Sequence, residues 1–105
     1  MGLAQPAMTE HRATPRDEVH YRARAFGPDA QPLTLLIVNM SAMGLMARSE
    51  TAYKPGDALR VNLPVVGTVA AQIRWSLGGR LGCELDRPID LADYYELLAA
   101  LLKPN

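Results

Sequence analysis

The sequence of 105 residues contains one cysteine, few aromatic residues and no excess of charge of either sign. Because one cysteine cannot form an internal disulfide, a disulfide-stabilised scaffold is excluded, and Cys83 fits a reducing compartment. Eleven Lys and Arg residues balance eleven Asp and Glu residues, so no overall field attracts nucleic acid or anionic lipid. No apolar run approaches the roughly 18 residues of a membrane span, and no secretion signal is recognisable. These features predict a cytoplasmic protein without a membrane span and without DNA or RNA as a partner.

Motifs that would indicate catalysis or metal binding are also missing. His11, His20 and Cys83 do not fall at the spacing of zinc ligands. No serine lies in a G-x-S-x-G turn, and neither an H-E-x-x-H motif nor a P-loop lysine occurs. The sequence therefore predicts that the protein is not an enzyme, with no catalytic residue, no metal site and no cofactor.

The first eighteen residues differ in pattern from the rest of the chain. They contain two prolines and show neither the period of a strand nor that of a helix. Such composition is typical of a mobile terminal segment. We expect a flexible N-terminal arm over residues 1–18 and one folded domain over residues 19–105, since the length suits a single modest core.

In six segments, apolar and polar residues alternate or the residues are mainly apolar and β-branched, and turn residues separate these segments. Clear alternation places Leu59, Val61 and Leu63 on one face, and the following segment continues it to Ile73 and Trp75. The predicted strands are residues 19–26, 33–38, 44–49, 58–64, 67–75 and 80–86. Short antiparallel strands form a small barrel or a sandwich, and closure removes exposed edges. We predict a mostly β protein, a six-stranded antiparallel barrel.

The last segment, DLADYYELLAALLKPN, predicts a C-terminal α-helix. Asp90 suits the N-cap and Pro104 the position where the helix stops. An apolar stripe is expected on one face, formed by Leu91, Tyr94, Tyr95, Leu98, Leu101 and Leu102. This stripe either packs on the barrel, which is the default for an amphipathic helix, or forms a homodimer.

The apolar run LLIVNMSAMGLMA breaks its own pattern with Asn39, Ser41 and Gly44. A turn between two strands explains these residues, because Asn and Gly tolerate positive φ and Ser bonds nearby backbone. A ligand site at the strand end explains them as well. Arg12 and Arg16, spaced R-x-x-x-R in the predicted arm, favour the second interpretation when the two motifs are taken together.

The two motifs, R-x-x-x-R followed by [D/N]-x-S-x-x-G at a strand end, resemble the signature of the PilZ domain. The resemblance continues through PGDALRVNLP, VAAQIRW and GGRLGCELDRP, so it covers nearly the whole chain after residue 11. Two positions depart from the family pattern. His11 stands where another basic residue is common, and Leu45 stands where a second glycine often follows Gly44.

The resemblance implies a receptor for cyclic di-GMP, held between the arm and the barrel surface. The binding residues would be Arg12, Arg16, Asn39, Ser41 and Gly44. Their chemistry agrees with this ligand, because a guanidinium donates two hydrogen bonds to guanine O6 and N7, or charge-assisted bonds to a phosphate. The single tryptophan, Trp75, could stack on a base, although its alternation with Ile73 favours the core.

A role in signalling follows from the same resemblance. Ordering of the arm on ligand binding changes the surface that a partner reads. Because no output domain is recognisable in the sequence, we expect a stand-alone cytoplasmic adaptor that signals in trans to another protein. The alternative is a PilZ-like protein-interaction module that does not bind nucleotide and uses the helix or a barrel face.

Overall fold

A computed structural model describes residues 16–103. It contains six strands and one helix, in the order predicted from the sequence. Their bounds are β1 Asp17–Phe26, β2 Pro32–Met40, β3 Gly44–Arg48, β4 Ala58–Leu63, β5 Gly67–Leu77, β6 Arg80–Leu85 and α1 Leu91–Leu102. The predicted fold class is confirmed: the strands form a closed antiparallel barrel, in the spatial order β1-β2-β3-β6-β5-β4.

The barrel closes where the end of β1 meets β4, with Ala25 opposite Val61 and Phe26 opposite Arg60. These two pairs close the barrel and cover the end of β1 along this seam. The β5–β6 connection is a two-residue hairpin in which Gly78 and Gly79 have φ of 62° and 79°. Two positive φ values in succession suit a type I′ turn, whose twist matches that of paired strands. The predicted hairpin is therefore confirmed.

The barrel interior is apolar and is formed by alternate residues of every strand. The predicted inward face of β4 is confirmed, because Leu59, Val61 and Leu63 are buried and Arg60 and Asn62 are exposed. The largest completely buried side chains are Leu35, Ile37, Met40, Leu45, Leu59, Val61, Ile73, Leu81 and Leu97. Burying each removes enough apolar surface to contribute about 1.5–3 kcal/mol before entropy is counted.

The first strand starts two residues earlier than the sequence predicted. β1 begins at Asp17 rather than near Val19, and Asp17 and Glu18 pair with Met40 and Asn39. A register shift separates Glu18 from Tyr21, so the alternation that begins at Val19 does not extend back to these residues. Backbone pairing continues across such a bulge although the side-chain period is broken. Residues 17 and 18 of the predicted arm thus belong to the barrel, and residues 1–15 lie outside the described residues.

The helix packs on the barrel, as the default interpretation predicted. Tyr94, Leu97 and Leu101 are buried against it. The hydroxyl of Tyr94 lies 2.6 Å from Asp17 Oδ2 and 3.1 Å from the carbonyl oxygen of Met40, where it can donate to either. Burial, and then the hydrogen bond to Asp17, raise the pKa of Tyr94. This side chain joins the helix to the start of β1 and the end of β2.

Three residues of the predicted helical stripe do not face the barrel. Leu91, Tyr95 and Leu102 are 63%, 63% and 55% exposed. The buried face is centred on Leu97, which the predicted stripe omitted. The sequence offers apolar residues on more than half of the helix circumference, so periodicity alone does not locate the centre. Asp90 occupies the N-cap position, but its side chain makes no capping hydrogen bond.

Removing the Tyr94 hydroxyl tests how strongly the helix is tied to β1 and β2. We expect Tyr94→Phe to lower the free energy of unfolding by about 1–2 kcal/mol, because the variant loses a buried hydrogen bond. Because folding raises the pKa of the Tyr94 phenol, the stability that its hydroxyl contributes is fully present below about pH 10 and declines as the pH rises further. Denaturant unfolding at pH 7 and above pH 10 measures both effects. Tyr95→Phe, at an exposed neighbouring residue, is the control and should change neither the stability nor its pH dependence.

Two structural findings concern membranes and metals. Within residues 16–103, no helix has the length and apolar character needed to cross a bilayer. The same part of the chain contains no group of three or more His, Cys, Asp or Glu side chains placed to hold a metal ion.

Candidate functional site

A cleft of about 310 Å³ opens on the outer surface of the barrel, beside the start of β1 and the turn between β2 and β3. Four residues proposed from the sequence line it, namely Arg16, Ser41, Gly44 and Trp75. Five others line it that the sequence did not indicate: Met43, Arg74, Gly82, Cys83 and Glu84. The cleft lies within the roughly 300–1,000 Å³ range of small-molecule sites, at its lower end.

Arg16 immediately precedes β1, and its guanidinium reaches across to β2. Arg16 Nη1 donates a hydrogen bond of 2.8 Å to Asn39 Oδ1. The amide nitrogen of Asn39 lies 3.8 Å from Met46 Sδ and donates weakly to it. Both motifs of the sequence therefore meet in the folded chain, through an arginine and an amide separated by 23 positions. Arg12 lies outside the described residues.

The turn after β2 is closed by its own polar groups. The Ser41 N–H donates to the Gly44 carbonyl oxygen at 2.8 Å, and Ser41 Oγ accepts from the Met43 N–H at 3.1 Å. The turn is also joined to β6, since the Leu85 N–H donates to the Met43 carbonyl oxygen at 2.8 Å. Ser41 is buried. Its hydroxyl accepts within the turn and keeps one donor hydrogen, and the residue lines the cleft.

Gly44 is required for a different reason from the one its sequence context suggested. The sequence favoured a position with positive φ, but the φ of Gly44 is not positive. A Cβ atom at residue 44 would instead overlap the carbonyl oxygen of Cys83 on the neighbouring strand. Gly44 lies directly opposite Glu84 in the β3–β6 pairing, where the two backbones approach closely. A side chain is excluded by backbone atoms, which cannot rotate away.

Trp75 lies on the outer surface and not in the core that its alternation with Ile73 favoured. A bulge separates the pair formed by Ile73 and Cys83 from the pair formed by Trp75 and Gly82. The extra residue reverses the side-chain parity along β5. Trp75 is 42% exposed, and its indole lies on Gly82. The absence of a side chain at Gly82 lets the indole pack over its backbone at the cleft, where an aromatic ring can stack on a base.

A second guanidinium lines the cleft beside Trp75. Arg74 Nε donates a hydrogen bond of 2.8 Å to Glu84 Oε1, and Nη2 lies 2.6 Å from the same oxygen in an ion pair. Both side chains are about half exposed, so solvent screens this ion pair and it contributes little to folding. A phosphate could compete for Arg74 at a small cost. Arg74 lies at the bulge, so the alternation of β5 did not predict that its side chain lines the cleft.

Cys83 lines the cleft with a thiol whose ionisation is disfavoured. Its side chain is buried, and burial raises the pKa of the thiol to about 12. The thiol therefore stays protonated at neutral pH, and the thiolate that attacks electrophiles or binds metals is not formed. Beside this thiol, the cleft presents the guanidiniums of Arg16 and Arg74, the carboxylate of Glu84 and one aromatic face.

Enlarging Gly82 tests whether it provides the surface on which Trp75 rests. A Cβ at this position would collide with the indole, coming within 2.6 Å of Cε2. We expect Gly82→Ala to rotate the ring out of its position at a cost in stability below about 1 kcal/mol, because a side chain yields more easily than backbone. Since the chain has one tryptophan, a shift of the emission maximum reports the movement directly. An unchanged spectrum would contradict the contact between Gly82 and Trp75.

Comparisons with known proteins do not identify a family. No protein-family model matches the chain, and no curated protein matches it significantly in sequence.

Proposed function

We propose that the protein is a cyclic di-GMP receptor of the PilZ type that signals in trans to a partner protein and has no catalytic activity. The observation that carries the proposal is the hydrogen bond from Arg16 to Asn39 at the edge of a cleft that Trp75 flanks. This geometry gathers residues from both sequence motifs and adds an aromatic face. The cleft can hold one planar base, and the N-terminal arm would cover the rest of the ligand.

The donors in the cleft match a guanine nucleotide. Arg16 can donate two parallel hydrogen bonds to guanine O6 and N7, and each such contact contributes roughly 1–3 kcal/mol to discrimination. Trp75 can stack on the base, for a similar roughly 1–3 kcal/mol. Arg74 can leave Glu84 and donate to a phosphate. Arg12, on the arm, would supply a further guanidinium.

A route from the cleft to the helix supports the signalling part of the proposal. Arg16 and Asp17 are adjacent, and the second of them accepts from Tyr94 on the helix. Asn39 and Met40 are likewise adjacent, and the Met40 carbonyl accepts from the same hydroxyl. A ligand that draws Arg16 away from Asn39 therefore acts on residues next to both contacts of the helix. Ordering of the arm and movement of the helix would together present a new surface to the partner.

Isothermal titration calorimetry with cyclic di-GMP tests the proposal. We expect saturable binding with a micromolar dissociation constant, which corresponds to about 8 kcal/mol. GMP is the control, because it presents the same guanine but only one of them, on a phosphate monoester in place of the two phosphodiesters. Absence of heat at high cyclic di-GMP concentration, supported by a second method, would reject the receptor.

The second candidate function is a protein-interaction module without nucleotide binding. It rests on the exposed apolar side chains of the helix, Leu91, Tyr95 and Leu102. A partner, or a second copy of the chain in a homodimer, could cover them. Sedimentation analysis of the wild type and of a Tyr95→Ser, Leu102→Ser variant separates these cases. A dimer that the variant loses, together with no heat from cyclic di-GMP, favours the module.

A further inference from the structure

Strand register places three arginines in one row on the outer surface of the barrel. Arg22 lies opposite Leu36, Leu36 lies opposite Arg48, and Arg48 lies opposite Arg80. Residues directly opposite each other in antiparallel strands project from the same face of the sheet. All three arginines are exposed, and Leu36 is half-buried among them. We call these four residues the arginine row; it crosses β1, β2, β3 and β6.

The arginine row concentrates positive charge. Neighbouring strands lie about 4.8 Å apart, so the backbone positions of the row span about 14 Å along the curved sheet. Arg48 and Arg80 are direct cross-strand neighbours, an arrangement of like charges that destabilises a sheet. Within residues 16–103, no carboxylate lies within 4.0 Å of any of these three guanidiniums.

A hollow of about 650 Å³ adjoins the row. Arg22, Arg48 and Glu50 line it together with Leu36, so two guanidiniums and one carboxylate lie beside an apolar surface, with a net positive charge. Thr34 and Ser49 add hydroxyl groups to the wall. Guanidinium groups recognise carboxylates through paired hydrogen bonds, and hydroxyls can bond to the peptide backbone.

We propose that the arginine row is a docking surface for an acidic, extended segment of a partner protein. The row crosses four of the six strands of a closed barrel, so its two end arginines point in different directions; a flexible extended segment can bend along this surface, whereas a flat bilayer cannot. The chain has no net charge, which disfavours a nucleic acid, whose binding requires many phosphate contacts. Carboxylates of the segment pair with the arginines, and an apolar side chain packs on Leu36. This surface is separate from the Trp75 cleft and needs no nucleotide.

Fluorescence anisotropy with a labelled peptide tests the proposal in the absence of nucleotide. The probe has about eight residues, enough to span the row when extended, and alternates glutamate with serine around one leucine. We expect binding at low ionic strength that weakens about five- to tenfold in the Arg22→Gln, Arg48→Gln variant. Arg60→Gln, at an exposed arginine on β4, is the matched control and should bind as the wild type does. A peptide with glutamine in place of glutamate should not bind.

Four results would overturn the proposal. The first is no binding of the acidic peptide by wild-type protein, and the second is an equal loss of affinity in Arg60→Gln. The third is arginine-dependent binding of phosphatidylglycerol vesicles or of a single-stranded oligonucleotide in place of the peptide. The fourth is self-association at low ionic strength that the double variant abolishes, since a second copy would then be the occupant. Arg48→Lys keeps the charge and should retain part of the affinity if the double variant proves unstable.

Discussion

Replacing Arg16 by alanine is expected to weaken cyclic di-GMP binding by about 10- to 100-fold while changing the free energy of unfolding by no more than about 0.5 kcal/mol. A lost pair of guanine contacts, worth roughly 1–3 kcal/mol, accounts for the loss of affinity. Stability is spared because Arg16 is exposed and its one hydrogen bond among the described residues goes to the Asn39 side chain. The sequence predicts the same separation of effects for Arg12→Ala.

Calorimetry and denaturant unfolding of the same preparations measure the two quantities. Arg24→Ala is the matched control, because Arg24 is an exposed arginine of β1 that lies opposite Thr34, away from the cleft. It should retain full affinity and full stability. An Arg16 variant that loses more than about 1 kcal/mol of stability and keeps its affinity would make Arg16 part of the scaffold.

Gly44→Ala is expected to be the most destabilising single substitution near the cleft, at about 2–4 kcal/mol, and to reduce ligand binding with it. The added Cβ would overlap the Cys83 carbonyl oxygen, and the β3–β6 pairing would have to separate to relieve the contact. Overpacking that moves backbone costs more than overpacking that moves a side chain. Because the turn holding Ser41 begins at this pairing, the shape of the cleft changes too.

Gly27→Ala provides the matched control for this substitution. A Cβ at residue 27 would lie 3.2 Å from Asp29 Oδ1 and 3.4 Å from the Tyr53 hydroxyl, which are side-chain atoms that can move. We expect a change in stability below about 1 kcal/mol and unchanged affinity. Thermal and denaturant unfolding of both variants compare them directly. Equal stabilities of the two variants would contradict the close approach of β3 and β6 at Gly44.

Local pattern was sufficient to predict the elements of this fold. The alternation at Leu59, Val61 and Leu63 and the glycine pair at residues 78 and 79 each determine a local geometry that needs no distant partner. The barrel follows because six short strands with tight turns leave few ways to cover their edges. That the helix packs on the barrel was predictable because an amphipathic helix normally buries its apolar face against its own domain. The centre of the buried face at Leu97 was not predictable.

Part of the lining of the candidate cleft could be proposed from the sequence, but its geometry could not. Arg16 and Asn39 carry the resemblance, and their hydrogen bond depends on where β1 begins. Trp75 was misplaced because a single bulge residue reverses parity, and one sequence contains no sign of a bulge. Gly44 was assigned the wrong constraint, since a glycine required by close approach and one required by positive φ look the same in sequence.

Titration of ¹⁵N-labelled protein with cyclic di-GMP, followed by NMR at the indole N–H of Trp75, tests the central claim most directly. The chain has one tryptophan, so this signal is a single resolved reporter of the cleft. We predict that it shifts and saturates together with the amide signals of Arg16 and Asn39, and that residues of the N-terminal arm become more rigid at saturation. Indole and Arg16 signals that stay unchanged while others shift would place the ligand elsewhere, and no shifts at all would exclude cyclic di-GMP binding.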